Sequence, residues 1–303
     1  MSLFVKICHS LSYINPSWHI KLRYLKCRKR FFPDRNPKKF QDKLIWLRLH
    51  CYNNSRFATE CSDKVAVRGY VEKKGWGHCL NEVYGVYESV DDVPWDNLPN
   101  QFAMKWNVGS GYNIICKDVT QLDLQKTKET MRCWGEEEYW VGHAEMQYKH
   151  CKKLIMIEKY LGNDKGVVPS DYKLYCFNGK CRAILYMDGR TQSGTEKELF
   201  FSAEWHYLGQ IGHGTEVPSD LPDAPKSLQE MIACAESLSE NVPFLRVDFY
   251  EFENRAYFGE MTFSPASGFW AYSVPLNNRD MGEYIDLSKK EVDKFKELEA
   301  SFR

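Results

Sequence analysis

Through residues 1–60 apolar positions recur at helical spacing, most clearly in DKLIWLRLH, Asp42 to His50, where polar residues fill the intervals. The pattern predicts a helical preface. Asp63 then caps a further helix through Val65, Val67, Tyr70 and Val71, which Gly75 and Gly77 end. Beyond it the period becomes that of strands. After the turn Leu98-Pro99-Asn100, the run from Gln101 to Trp106 has the length and apolar character of a buried strand. It empties into NVGSGYN, Asn107 to Asn113, before Ile114-Ile115-Cys116 resumes. A helical stretch from about Leu122 to Gln147 leads to a second short apolar strand, Leu154 to Leu161.

The remaining pattern is antiparallel. Tyr172 to Phe177 and Arg182 to Met187 flank Asn178-Gly179-Lys180, the strongest hairpin signal in the chain. A proline-rich stretch, Val217 to Pro225, precedes a helix from Leu228 to Leu238. Phe244 to Tyr250 and Ala256 to Met261 then form another hairpin around Glu253-Asn254. The order predicts an α+β fold and not a repeating βαβ unit, and no internal repeat occurs.

At 303 residues and 43% hydrophobic content the chain can bury a large composite domain or two lobes. Its 41 basic and 41 acidic residues cancel, so no global field steers it toward nucleic acid. The eleven cysteines are scattered singly, with no pair at zinc or redox spacing, and their odd number argues for a reducing, cytoplasmic setting. No apolar run is long enough to span a membrane, and Lys6 and His9 interrupt the apolar start, so no signal peptide is read there. The basic segment 21–30 fits a solvated helix face, and also allows peripheral contact with the inner face of a membrane.

Strand alternation puts Arg246 and Asp248 on one face of the last hairpin's first strand, and Glu260 and Thr262 on one face of its second. A solvated polar row would look similar. Here Val247, Phe249, Tyr257 and Phe258 shelter the hairpin, and buried carboxylates need partners. A magnesium ion, which takes oxygen ligands at about 2.1 Å, would satisfy them. Just beyond lies Ser264-Pro265-Ala266-Ser267-Gly268, a turn whose Ser264, Ser267 and Gly268 offer backbone N–H groups and small side chains to an anionic substrate. The loop Gly109-Ser110-Gly111 matches neither the Rossmann nor the Walker pattern. With Lys105 at the end of its strand, it still offers an ammonium and free amides to a polyphosphate, and Lys159 offers a second cation.

From about Asp63 to Phe269 these pieces resemble the ATP-grasp superfamily: two α+β subdomains sandwiching ATP, here behind a helical preface. Lys105 with Gly109, Ser110, Gly111 and Asn113 looks like the family's phosphate lysine and glycine loop. Glu158-Lys159-Tyr160-Leu161 is similar to its adenine-reading hinge, with Glu158, Lys159 and Leu161 implied in nucleotide binding. Asp171-Tyr172-Lys173 resembles its acidic-x-basic strand, implying that Lys173 faces the γ-phosphate or acyl group. Arg246-x-Asp248 with Glu260-Met261-Thr262 resembles its metal hairpin, implying Asp248, Glu260 and Thr262 as metal ligands; Thr262 stands where the family usually has Asn, and its hydroxyl would ligate Mg²⁺ directly or through water, which leaves a second ion open. Within the superfamily, Asn36 to Phe40, Lys43 to Leu47, Leu98 to Phe102 and Gly259 to Gly268 resemble the TupA-like branch, named for teichuronopeptide biosynthesis.

The resemblance implies division into a helical extension (1–60), two subdomains (61–157 and 158–275) and a helical tail (276–303). It implies a ligase that uses ATP and one or two Mg²⁺ ions to activate a carboxylate as an acyl phosphate, with Asp171, Lys173 and Arg246 catalytic. Arg246 would also meet a small-molecule, glycan or peptide substrate of surface-polysaccharide assembly. A kinase and a non-catalytic nucleotide- or sugar-binding module remain as alternatives, and the oligomeric state is open. The loops from Thr191 to Gly214 and from Val217 to Pro225 are expected to shape the substrate pocket.

Overall fold

A computed structural model describes residues 2–162, 169–187, 198–210 and 217–302. The preface folds as α1 (Leu3–Ile14), α2 (Pro16–Arg28), α3 (Phe40–Leu47), a π turn (Arg48–Tyr52) and α4 (Arg56–Ser62), followed by α5 (Val67–Lys73). Asp63 accepts the N–H groups of Val65 and Ala66 at 2.8 and 3.1 Å, which starts the turn into α5.

Two antiparallel sheets follow. β1 (Val83–Tyr87), β2 (Phe102–Trp106), β3 (Asn113–Cys116) and β4 (Ile155–Lys159) form the smaller, in the order β1-β4-β2-β3, with α6 (Leu124–Glu136) packed on it. β5 (Asp171–Phe177), β6 (Lys180–Met187), β7 (Glu198–Phe201), β8 (Tyr207–Gln210), β9 (Phe244–Phe252) and β10 (Arg255–Thr262) form the larger, in the order β10-β9-β5-β6-β7-β8. α7 (Leu228–Leu238) and α8 (Lys289–Ser301) complete the chain. Both predicted hairpins form around pairs of left-handed residues, Asn178-Gly179 and Glu253-Asn254, as a turn matched to the sheet twist requires.

The predicted helix from about Leu122 to Gln147 is shorter. α6 stops at Glu136 and gives way to 3₁₀ turns at Tyr139–Gly142 and Met146–Tyr148. Glu136, Glu137 and Glu138 gather negative charge at the helix's negative end, which disfavours another turn. Of the loop from Thr191 to Gly214, residues 198–210 carry β7 and β8, and the rest lies outside the described residues.

The larger sheet holds the main core, in which Phe57, Val67, Val71, Phe244, Val247 and Met261 are each no more than 2% exposed. Residues of α4 and α5 therefore pack with that sheet. Phe102, Met104, Trp106, Ile155 and Ile157 bury the opposite face of the smaller sheet against Met131 of α6, and the Trp106 indole N–H donates to the Met131 carbonyl at 3.0 Å. The alternation that sends these side chains to α6 turns Ala103, Lys105 and Glu158 the other way. No helix among the described residues is long and apolar enough to cross a membrane. The basic run 21–30 is largely engaged within the protein: Lys21 bonds Asp34, Arg23 the Gly142 carbonyl, Arg28 the Phe269 carbonyl and Arg30 Asp42.

Candidate active site

The polar face of the smaller sheet looks onto a cavity of about 390 Å³ lined by Ala103, Lys105, Asn113, Ile115, Glu158, Lys159 and Leu161, with Asp171, Met187 and Tyr250 from the larger sheet. That volume suits a small-molecule ligand. Lys105 and Glu158 lie on adjacent strands, Ala103 pairing with Glu158, and their side chains form an ion pair at 2.5 Å. A second cavity of about 110 Å³ adjoins it. Gly109, Ser110 and Gly111 line one wall, Asp171, Lys173, Asp248, Gly259 and Glu260 the other, and Lys64 and Lys105 reach into it.

The glycine loop is held at its start and at Gly109. Buried Asn107 bonds Asp63 Oδ2 at 2.6 Å through Nδ2 and accepts the Leu154 N–H at 2.8 Å. Gly109 and Gly111 both take φ of 83°, a left-handed conformation that costs glycine little, and a Cβ on Gly109 would sit 2.9 Å from the Tyr139 ring. Lys64, next to the capping Asp63, donates to the Gly109 carbonyl at 2.8 Å and reaches Glu260 at 3.7 Å. One lysine thus ties the loop to the larger sheet. Sequence reading passed it over, because its contacts lie far along the chain and no local pattern marks it.

On the larger sheet the register brings the charged residues together. β5 pairs with β9 so that Lys173 lies opposite Asp248, and β9 with β10 so that Asp248 lies opposite Glu260 and Arg246 opposite Thr262. Simple alternation would not achieve this, since Phe258 is in the core and Glu260, two residues on, would join it. A bulge at Gly259 supplies the extra residue that returns Glu260 to the cleft face. A Cβ there would meet the Asp248 carbonyl oxygen at 3.0 Å.

Arg246 grips Asp248 through two hydrogen bonds of 2.6 Å, and its Nη2 also reaches Glu260 at 3.2 Å. Lys173 donates to Asp171 at 2.5 Å and to Asp248 at 2.9 Å. Three carboxylates and three cations, counting Lys64, therefore sit in one partly buried group. Burial alone would raise the Glu260 pKa, but Lys64, Arg246 and Lys173 outweigh it and hold the value at about 2. Burial raises Asp171, with Lys173 pulling the other way. Burial lowers Lys64, whereas for Lys173 and Arg246 the attraction of Asp248 overcomes burial, and both are raised.

Thr262 sits at the edge of this net, its hydroxyl donating to Glu260 at 3.1 Å and accepting from Arg246 Nη2 at 3.0 Å. For Mg²⁺ the donor set fits: hard carboxylate oxygens of Asp248 and Glu260 on directly paired residues, beside a bulge glycine where a side chain would press on the Asp248 carbonyl.

Ser264, Ser267 and Gly268 line neither cavity. Both serine hydroxyls turn inward to buried Glu145, whose pKa is raised by burial and pulled back by Arg48 and the two serines. Arg48, fully buried, donates to the Ser267 carbonyl at 2.6 Å and to the His143 and Ala144 carbonyls at 2.5 and 2.9 Å. Ala266, Ser267 and Gly268 all have positive φ, at 44°, 55° and 73°, a conformation that side-chain-bearing residues keep only when the surroundings impose it. Arg48 and Glu145 supply that constraint, and neither stood out in the sequence.

A model of the TupA-like ATP-grasp family matches residues 42–286 of the chain. No curated protein sequence matches it. Among solved structures it is similar to a D-alanine–D-alanine ligase from Bacillus anthracis complexed with ATP, with 18% identity and a TM-score of 0.44 over 81% of this chain and 68% of that one. It is also similar to an L-amino acid ligase from Bacillus licheniformis, with 12% identity and a TM-score of 0.45 over 78% of this chain and 51% of the ligase, about half its length.

Proposed function

The chain belongs to the TupA-like ATP-grasp family, and from that premise we propose that it is an ATP-dependent ligase joining a carboxylate to an amine through an acyl phosphate. One observation carries the reading: a nucleotide-sized cavity with the Lys105–Glu158 pair opens directly into the charged group built from Asp171, Lys173, Arg246, Asp248 and Glu260. Adenine would lie against Ala103, Ile115 and Met187, with the backbone from Glu158 to Leu161 at its edge. Lys105 and Lys159 would meet phosphate oxygens, and the loop amides from Gly109 to Asn113 would cover them.

Asp248 and Glu260 are the residues that would hold one or two Mg²⁺ ions. The metal, when bound, supplies neutralisation of the β- and γ-phosphates. A carboxylate oxygen of the substrate attacks the γ-phosphorus, the bond to the ADP oxygen breaks, and an acyl phosphate forms. An uncharged amine then attacks the acyl carbon, phosphate leaves carrying the former carboxylate oxygen, and the amine loses a proton. Positioning and charge compensation are the main demands of such a transfer, and Lys173 and Arg246, both held protonated, meet the second. Lys64 keeps the loop closed over the phosphates.

We place the substrates among sugar acids, amino sugars, amino acids and peptides of cell-surface polymers on the family's association alone. The test incubates the protein with Mg·ATP and a panel of ¹⁸O-carboxylate sugar acids and amino acids, with amine acceptors. A ligase moves one ¹⁸O into released phosphate. A stable phosphorylated product would make the protein a kinase, and no ADP with any member of the panel would favour a binding module.

A further inference from the structure

The cleft does not account for the outer surface of the preface. α1 and α2 form an antiparallel pair, with the Lys26 ammonium 3.8 Å from the centre of the Phe4 ring and Asn15 capping the turn between them. α1 packs inward through Cys8 and Ser12, the Ser12 hydroxyl donating to the Val141 carbonyl at 2.9 Å. Its other side carries Leu3, Ile7 and Ile14, which fall on one stripe at helical spacing and are 73%, 45% and 80% exposed. Trp18 (66%), near the turn, and Phe31 (84%), beyond the end of α2, are further exposed apolar side chains at the two ends of the pair. Large apolar side chains exposed together in this way mark an interaction surface.

The charge of the same segment indicates the partner. No Asp or Glu occurs between Met1 and Pro33, whereas Lys or Arg occurs at Lys6 and at six positions from Lys21 to Arg30. The carboxylates that face the pair from neighbouring elements are already engaged: Asp34 with Lys21 and His50, Asp42 with Tyr24 and Arg30, and Glu138 with Tyr13. Lys6, Lys26 and Lys29 remain exposed. Apolar anchors combined with unopposed lysines match an anionic lipid surface, where the apolar groups enter the headgroup–acyl boundary and the lysines meet lipid phosphates.

We infer that the outer face of α1 and α2 docks the protein on an anionic membrane, through Leu3, Ile7, Ile14, Trp18 and Phe31 with Lys6, Lys26 and Lys29. The anchor differs from the basic run itself, much of which is engaged within the protein. Arg28 bonds the Phe269 carbonyl at 2.6 Å, so the docked face is joined directly to the turn that follows Ser264–Gly268.

The full chain is sedimented with vesicles of phosphatidylcholine alone and of phosphatidylcholine mixed with phosphatidylglycerol, at low and high salt. It pellets with the mixed vesicles, and binding weakens with salt. The pair Ile14→Ser with Trp18→Ser lowers vesicle affinity by about tenfold or more, from the lost apolar insertion. Lys6→Gln with Lys29→Gln lowers it less and flattens the salt response. Thermal unfolding followed by circular dichroism, with a Tm unchanged in both variants, shows that they fold. The inference is overturned if the wild-type chain stays in solution with mixed vesicles at low salt, if the serine variant pellets as well as the wild type, or if the apolar face proves to be a dimer contact, seen as a wild-type dimer that the serine variant turns into a monomer. None of these readouts requires turnover, so they stand or fall apart from the ligase reading.

Discussion

The two sheets meet the same cleft with different chemistry. Among the described residues the smaller sheet offers the ion pair of Lys105 with Glu158 and the Lys159 ammonium, together with backbone and apolar surface. The larger offers a dense net in which every charge leans on another: Asp248 takes three hydrogen bonds from Arg246 and Lys173, and Glu260 is within reach of Arg246 and Lys64. A sparse wall can bind a nucleotide with little reorganisation. A wall whose charges are balanced before any ligand arrives can shift its partners as charge moves, which is what transfer of a phosphoryl group demands. Changes on the smaller sheet should therefore weaken ATP binding, and changes on the larger should weaken turnover.

The largest effects belong to the larger sheet. Glu260→Gln should cut ADP release by about a hundredfold or more while ATP affinity stays close to wild type, since it removes a charge but keeps the shape. Asp248→Asn should lose at least as much turnover and also destabilise the fold, by no more than about 3–5 kcal/mol, because Arg246 and Lys173 lose the buried charge they share and keep only Glu260 and Asp171. Denaturant unfolding separates the two variants. On the smaller sheet Lys105→Ala should weaken ATP binding by about tenfold, against no measurable change for the surface residue Lys21→Ala. Lys64→Ala, at the link between the walls, should raise the KM for ATP by a few-fold, roughly the loss of one hydrogen bond to the loop. Equal effects on binding and turnover across all four variants would erase the distinction between the sheets.

Acidity gives a subtler separation. The Glu260 pKa lies at about 2 against an ordinary 4.5, so its charge stabilises the fold fully above pH 4.5 and progressively less as pH falls toward 2. The stability gap between wild type and Glu260→Gln should be widest near neutrality and close in acid. A gap constant across that range would mean that Glu260 acts through shape and not charge. Smallest of all, Thr262→Asn should leave turnover within about twofold of wild type, because an amide can also bridge Arg246 and Glu260.

Much of the cleft was legible because strand alternation is a strong rule. Lys105, Glu158, Asp171, Lys173 and Asp248 each sit where a period of two puts the polar side chain opposite a core residue. Glu260 was identified for an incomplete reason: it shares the parity of core residue Phe258, and only the bulge at Gly259 turns it outward. A glycine inside an apolar strand was the available sign. Lys64, Arg48 and Glu145 were missed for another reason. Lys64 meets a glycine 45 residues ahead and Arg48 a carbonyl 219 residues ahead, distances over which no local pattern carries information. The inward turn of Ser264 and Ser267 was hidden similarly, since it depends on a buried carboxylate from a distant 3₁₀ turn.

The central claim, that ATP lies between the two sheets against the charged wall whose carboxylates would hold the metal, is tested most directly by calorimetric titration of ATP into the protein with magnesium and with a chelator. Phosphates that draw Lys173, Arg246 and Lys64 toward themselves leave Asp248 and Glu260 short of counter-charge unless a cation takes up the carboxylates. The account predicts binding at least about tenfold tighter with magnesium. Equal affinity in the chelator would contradict it.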